Sequence, residues 1–452
     1  MLWIRRNSKY LYLFILFLIL TFCISTFVIP LYNGDEVWNY GFSYNISSGL
    51  IPYRDFSMLQ TPVYFYIGSI FIKIFGSYLI SVHVFDALFI SLIMLMLHDM
   101  IGKKSLFFYP LLIIYLLPSY NYFCLFFLFL IIYLVFKKRD NDLLIAFIVG
   151  LVFMTKQNVG ITMFLPMIFY SKNRIKSILM FLIPFSVFSL YFIFNGAFFE
   201  FMDHCFLGMI DFGEKNTMIT HSAYVEVFEV IFIIYKLIKG KFRDKILFYI
   251  LAFQIISYPI FDNYHWLIAA IPFLYYLIIS FNEKSSFKID YLLILIITSG
   301  WCLYILAFGL YSYFVTFGDC NIVTGNNYFF LRNVNDDVTS TLDYEFELME
   351  EYSKGVDYKF FIMENIYLLK LYFGMEIGEY DMLLNGNMGF NGDIKKIEEI
   401  KRICENNSCV FFVDSGVFER NKNSQLSKKI YGYVASNYNK IVGGVPFDIY
   451  IN

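Results

Sequence analysis

Charge is what this sequence has least of. Of its 452 residues only 16% are Asp, Glu, Lys or Arg, against 59% hydrophobic and 21% aromatic. An ordinary soluble domain carries about 25% charged residues, so that class is excluded. The seven cysteines are scattered without metal-ligand spacing, and in apolar runs a cysteine reads as a small buried hydrophobe. The apolar run from Tyr10 to Pro30 lacks a small-residue cleavage site and is too long for a signal-peptide core. No internal repeat is visible, and a transporter built from repeated halves would show one. What is present is a series of apolar blocks long enough to cross hydrocarbon, in agreement with a mean hydropathy of +0.60. The expected fold class is a polytopic α-helical membrane protein.

Topology follows from the basic loops. Arg5, Arg6 and Lys9 precede the first span; Lys103-Lys104, Lys137 to Arg139, Lys172 to Lys176, Lys236 to Lys245 and Lys284 to Lys288 follow. The positive-inside rule places all of these in the cytoplasm with the N-terminus. An even number of crossings must then separate Lys9 from Lys103, so one of the three apolar runs between them stays on one side. The run from Pro62 to Gly76 covers only about 22 Å as a helix, short of the roughly 30 Å core. It also holds Lys73, and is expected to lie along the outer interface. The crossings then number about eleven: 10–30, 78–98, 105–120, 120–136, 142–156, 158–171, 176–195, 222–238, 245–260, 264–281 and 289–315.

Past Thr316 the apolar runs shorten to strand length. Expected strands are Lys359–Met363, Tyr380–Leu384, Val410–Val413 and Phe447–Ile451. Expected helices are Thr339–Ser353, Asn365–Phe373, Asp393–Cys404 and Ser424–Tyr438. The alternation argues a small α/β domain over 316–452 beside a membrane domain over 1–315, and the topology places it outside the cell. Gly386, Gly389 and Gly392 do not have the spacing of a dinucleotide fingerprint and read as a glycine-rich turn. Cys404 and Cys409 are candidates for a disulfide.

The chemistry concentrates in the first outer loop, residues 31–77. It opens on Asp35-Glu36 immediately after a span, and carboxylates at a bilayer edge are functional candidates by default. Asn33 can cap the helix that follows and Gly49 can end it; along it Trp38, Phe42 and Ile46 form a stripe expected to lie in the membrane interface. Adjacent residues point about 100° apart on a helix, so one acid is expected to act and the other to support; Asp35 is the candidate general base. The bland alternative is a solvated acidic helix start favoured by the dipole. Arg54 can pair with Asp55 or grip a phosphate bidentately. Lys156-Gln157, in a tight hinge between short spans, calls for an anion, either a phosphate or a structural carboxylate. Asp262-Asn263-Tyr264-His265 begins another outward hinge, where Asn263 and His265 are candidates for substrate hydrogen bonds or for plain loop. His204 beside Asp203 gives two metal ligands, which make no site.

Taken in order, these residues resemble the GT-C superfamily of membrane glycosyltransferases, in particular its protein O-mannosyltransferase and lipid A aminoarabinose transferase branch. The resemblance rests on Asp35-Glu36, on Gly49-Leu50-Ile51-Pro52-Tyr53-Arg54-Asp55-Phe56, on Thr61-Pro62-Val63-Tyr64, on Phe75-Gly76 and on Thr155-Lys156-Gln157. It covers roughly the first 280 residues. Gln60-Thr61-Pro62 stands where the family usually has Lys-Pro-Pro or His-Pro-Pro, which removes a cationic donor contact at Gln60. The resemblance implies a sugar donor on a polyprenyl phosphate and an extracytoplasmic glycan, lipid or protein acceptor, with inversion at the anomeric carbon. Asp35 and Glu36 would be catalytic, and Arg54, Lys156, Gln157, Asn263 and His265 would bind substrate. It implies a multi-pass plasma-membrane enzyme in contact with membrane lipid and no nucleic acid. No cofactor is called for, and a divalent cation is left open. The rival readings are a lipid-linked polysaccharide polymerase or ligase, and a transporter.

Overall fold

In a computed structural model the apolar blocks become helices. The structure describes residues 2–29, 34–114, 119–139, 141–283, 289–316, 320–322, 333–363, 389–414, 428–443 and 447–452. Helix α1 (Leu2–Cys23) continues through one π turn to Val28. The loop over residues 31–77 carries the two short helices expected there, α2 (Gly34–Ser47) and α3 (Val63–Phe75). Next come α4 (Ile80–Ile101) and, after a 3-10 turn, α5 (Phe108–Ile113). Four helices separated by short hinges follow: α6 (Tyr120–Phe136), α7 (Asp142–Phe153), α8 (Gln157–Tyr170) and α9 (Arg174–Phe194). The short α10 (Phe198–Met202) and α11 (Gly208–Asn216) precede α12 (Ser222–Lys239), α13 (Lys245–Phe253), α14 (Asn263–Glu283) and α15 (Ile289–Thr316). A short parallel pair, β1 (Met218–Ile219) with β2 (Ile260–Phe261), ties the loop before α12 to the loop before α14.

Polar side chains set several helix starts. Ser119 accepts from the Asn121 N–H, Asn141 from Leu143 and Leu144, Asn173 from Lys176, and Asp244 from Leu247. Five described segments have the length and apolarity to cross a membrane: Ser8–Val28, Ile80–Ile113, Arg174–Phe194, Asn263–Ser280 and Leu292–Tyr311. Shorter apolar helices accompany them at Val63–Phe75, Tyr120–Phe136, Asp142–Phe153 and Lys245–Ser257.

Helix α2 ends as its sequence indicates. Gly49 takes φ +95°, and the N–H groups of Gly49 and Leu50 bond back to the carbonyls of Ile46 and Asn45. Asn33, the expected cap at its start, lies outside the described residues. The expected interfacial stripe is corrected: Phe42 and Ile46 are buried in the protein core, and Phe42 packs on Phe56 and Phe65. The loop and α3 fold over this face, so protein rather than lipid covers it. Helix α3 instead turns Ile70, Ile74 and Phe75 outward.

Beyond Thr316 an antiparallel pair, β3 (Cys320–Ile322) and β4 (Asn333–Asn335), leads into α16 (Asp336–Tyr352). A four-stranded sheet follows, built from β5 (Tyr358–Ile362), β6 (Cys409–Val413), β7 (Asn439–Val442) and β8 (Asp448–Ile451) in the order β5-β6-β8-β7. Its first pairing is parallel and the others antiparallel. The strand expected at Tyr380–Leu384 and the helix at Asn365–Phe373 lie outside the described residues. Strand β7 was not expected, because its exposed residues lack an apolar alternation. Period-two alternation gives the sheet two faces. Phe360, Ile362, Phe411 and Val413 meet the helices Gly392–Cys404 and Lys428–Asn437, while Phe361, Phe412 and Ile449 join the apolar cluster of the helical part. A Cys404–Cys409 disulfide closes the turn between helix and β6. Of the other cysteines, Cys124, Cys205 and Cys302 are free and buried and Cys23 is free and half-buried, as small hydrophobes in apolar runs should be.

Candidate functional site

Three hydrogen bonds strap the 31–77 loop to a hinge some ninety residues later in the chain. Thr61 Oγ1 donates to the Phe153 carbonyl at 3.2 Å, the Val63 N–H to the Met154 carbonyl at 2.9 Å, and Gln157 Nε2 to the Leu59 carbonyl at 3.0 Å. Gln157 Nε2 also reaches the Cys205 carbonyl at 2.7 Å. The Gln60 carbonyl accepts from the Tyr53 hydroxyl at 2.8 Å and from Cys205 Sγ at 3.5 Å. Thr61-Pro62 and Thr155-Lys156-Gln157, separate in the sequence, therefore form one surface. Gly160 keeps the hinge tight, since a Cβ there would strike the backbone of Phe153. The amide nitrogen of Gln157 is fully engaged in this strap.

At the loop's start Asp35 lies in the first turn of α2; its side chain is outside what the structure describes. Glu36 is buried and its Oε1 meets His83 Nε2 of α4 at 2.7 Å. One turn along α4, Asp86 accepts from the Tyr64 hydroxyl, 3.3 Å from each oxygen. The pair and its neighbour join α2, α3 and α4 around the two acids. His83 and Asp86 were not singled out from sequence. Their signal is nevertheless legible: ionisable residues three apart on one face of an apolar run.

The second cluster lies where α6, α8 and α14 begin. Lys156 was expected to need an anion, yet among the described residues no carboxylate pairs with it. Its ammonium donates to Asn121 Oδ1 and to the Ile256 carbonyl, both at 2.9 Å, and sits 5.6 Å from the centroid of the Tyr120 ring. Asn121 Nδ2 lies 3.4 Å from His265 Nε2, and His265 Nδ1 lies 2.9 Å from Asp262 Oδ1. Since Asn121 accepts through oxygen and donates through nitrogen, the chain has one sense: Lys156 to Asn121 to His265 to Asp262. In this sense His265 accepts at Nε2 and donates from Nδ1. Burial would raise the Asp262 carboxyl, but the hydrogen bonds from the His265 ring and backbone N–H hold it below the usual range, with the Lys156 charge adding to the effect. Asn263 bonds Ser222, and Tyr264 donates to Ser119 at 2.8 Å. Asn263 is thus tied to α12 and apart from the Lys156–Asp262 chain.

Arg54 pairs with Asp55. Its Nε and Nη2 reach the two carboxylate oxygens at 2.8 and 3.0 Å, and its Nη1 reaches the Asn195 carbonyl at 3.2 Å. The guanidinium holds Asp55 below the usual carboxylate range, helped by the Ile51 N–H and opposed by partial burial. With five N–H donors and a side chain 46% exposed, Arg54 keeps donors for a further anion.

Asp203 and His204 meet the C-terminal region. Asp203 accepts from Lys395 at 2.7 Å and from the Phe390 N–H at 3.3 Å, and Asp211 accepts from the Asn391 N–H at 3.0 Å. Two carboxylates of the segment between α9 and α12 thus cover the N-terminal end of the Gly392–Cys404 helix, where the dipole favours negative charge. Gly389, at φ +80°, allows the approach, since any Cβ would collide with the Asp203 carboxylate. Gly389 and Gly392 lie at this contact, while Gly386 is outside the described residues. Burial lowers the His204 imidazole to about 4, with Lys395 and Lys396 adding to the effect and Asp203 opposing it.

The architecture is a helical bundle with a helical first loop and an appended sheet. Among the solved structures that share this fold are two of ArnT (lipid A aminoarabinose transferase), a GT-C membrane glycosyltransferase, from Cupriavidus metallidurans. The structure bound to undecaprenyl phosphate matches with a TM-score of 0.55 at 10% identity over 98% of this chain and 98% of that one. The apo structure matches with a TM-score of 0.52 at 10% identity over 99% and 98%. Neither a protein-family model nor a curated protein matches the sequence. At this identity the likeness is one of fold, and together with the five described segments long and apolar enough to cross a membrane it supports a membrane-embedded protein.

Proposed function

We propose that this protein is a glycosyltransferase that moves a sugar from a polyprenyl-phosphate carrier to an extracytoplasmic acceptor, with inversion at the anomeric carbon. The observation that carries the reading is Lys156, a largely buried ammonium held only by neutral oxygens among the described residues. It stands beside the loop that opens on Asp35-Glu36, in a fold shared with a protein solved with undecaprenyl phosphate bound. A phosphate leaves without being protonated, so the two carboxylates of a glycosidase reduce to one base. Asp35 takes the proton from the acceptor hydroxyl as the sugar–phosphate bond breaks. Lys156 and the spare donors of Arg54 stabilise the charge that grows on the departing phosphate. Glu36, held by His83, supports Asp35, and His265 orients Asn121 under Lys156. Gln157 positions the loop through its backbone bonds, and Asn263 anchors α14.

The orientation follows from the basic loops: N-terminus cytoplasmic, about eleven crossings, and the sheet region after residue 315 as an outside domain. The Cys404–Cys409 disulfide is in keeping with an oxidising compartment. The test is the full-length protein in vesicles with a polyprenyl-phosphate sugar, measuring release of the polyprenyl phosphate. The wild type should release it and Asp35→Asn should not, with the fold intact. Release by both would remove the assigned base, and release by neither, with sugar moved across the bilayer instead, would favour a transporter.

A further inference from the structure

A groove of about 660 Å³ opens at the end of the molecule remote from these residues. From Asp86 to the groove's Asp99 the α4 axis runs about 20 Å, so the two places are separate. Leu92, Leu95 and Met96 of α4 face Phe126 and Leu130 of α6 across it. On each helix these residues recur three or four apart, so each presents one apolar stripe, and all five are only half-buried.

One end of the groove is polar. Asp99 accepts from Tyr10 at 2.7 Å and Tyr133 at 2.9 Å, and pairs with Lys137 at 2.7 Å. These contacts fix two tyrosine rings and the Lys137 ammonium at the mouth, and they hold the Asp99–Lys137 charges in balance. Lys138 and Arg139 stand exposed beside them, with Arg139 part of the groove wall. The mouth is therefore net positive, the floor is apolar, and tyrosines mark the level between, as they do at bilayer interfaces. From Phe126 to Lys137 the α6 wall extends about 16 Å, the scale of an acyl chain rather than of a compact solute.

We propose that this groove binds an anionic glycerophospholipid, with one acyl chain along Leu92, Met96, Phe126 and Leu130 and the phosphate at Arg139. Charge complementarity selects the headgroup, as basic pockets between membrane helices select acidic lipids at the cytoplasmic leaflet. The two-ended polarity selects an amphiphile over a free phosphate.

Native mass spectrometry of the full chain in mild detergent tests this, with phosphatidylglycerol and phosphatidylcholine of identical chains as probes. One phosphatidylglycerol should be retained per chain in preference to phosphatidylcholine. Arg139→Gln should weaken retention about fivefold, the effect of one basic residue at a lipid surface. Leu130→Trp should fill the groove and abolish retention. Equal retention of both lipids overturns the proposal, as does full retention by a folded Leu130→Trp variant. Should that variant not fold, the exposed Arg139→Gln substitution decides alone, and unchanged selectivity there sinks the proposal.

Discussion

At the scale of single residues, the buried Glu36–His83 pair constrains the acid next to it. Removing one partner of a buried hydrogen-bonded pair leaves the other unsatisfied. His83→Leu should therefore cost about 1–3 kcal/mol of stability, read as a lower melting temperature in detergent. Glu36→Leu combined with His83→Leu should lose less than the sum of the two single changes, because the partners are coupled. Asp35→Asn should behave differently, leaving melting unchanged and slowing transfer by about 10²- to 10⁴-fold, the range of a general base. Residue-scale reading of the sequence found Asp35, Glu36, Arg54 and Lys156 by their chemistry, because a charge beside hydrocarbon is conspicuous. It passed over Asn121, a neutral residue whose importance comes only from lying between Lys156 and His265.

Elements are held by bonds that cross long sequence distances. Gln157→Ala removes two bonds to buried carbonyls of the Leu59 and Cys205 backbone, at about 1–3 kcal/mol for each acceptor left unsatisfied. The loop should loosen: hydrogen exchange over 59–63 should speed up, and the maximal rate of transfer should fall more than the apparent donor affinity. Gln157→Glu should not rescue it, since a carboxylate cannot donate to carbonyls. The helices themselves were legible from apolar runs and breaks, down to the Gly49 end of α2. The stripe Trp38, Phe42 and Ile46 was legible as an apolar face, but its partner was not. Periodicity says that a face must be covered and is silent on whether lipid or the chain's own loop covers it.

For the whole molecule, the contact between the segment joining α9 to α12 and the Gly392–Cys404 helix joins the helical part to the sheet region. Gly389→Ala should loosen it, exposing the Gly392 segment to limited proteolysis, whereas Lys395→Ala, breaking a largely exposed ion pair, should change little. The contact should also weaken in acid. His204 is neutral when folded, with its pKa depressed to about 4, while the unfolded side chain protonates near ~6.5. Its contribution is whole above that unfolded value and is lost as pH falls from there toward 4, up to roughly 3 kcal/mol. His204→Gln should flatten proteolytic sensitivity across that window. The sequence by itself determined the apolar blocks of a membrane-embedded protein, where several of its helices begin or end, and which side chains carry charge beside them, because hydrophobic length, caps and ionic cost are local quantities. Only the tertiary structure decided that Thr61 lies against Phe153, that Glu36 turns to His83, and that Lys156 has neutral company. Those pairings depend on how non-adjacent helices pack, and no spacing along one segment encodes them.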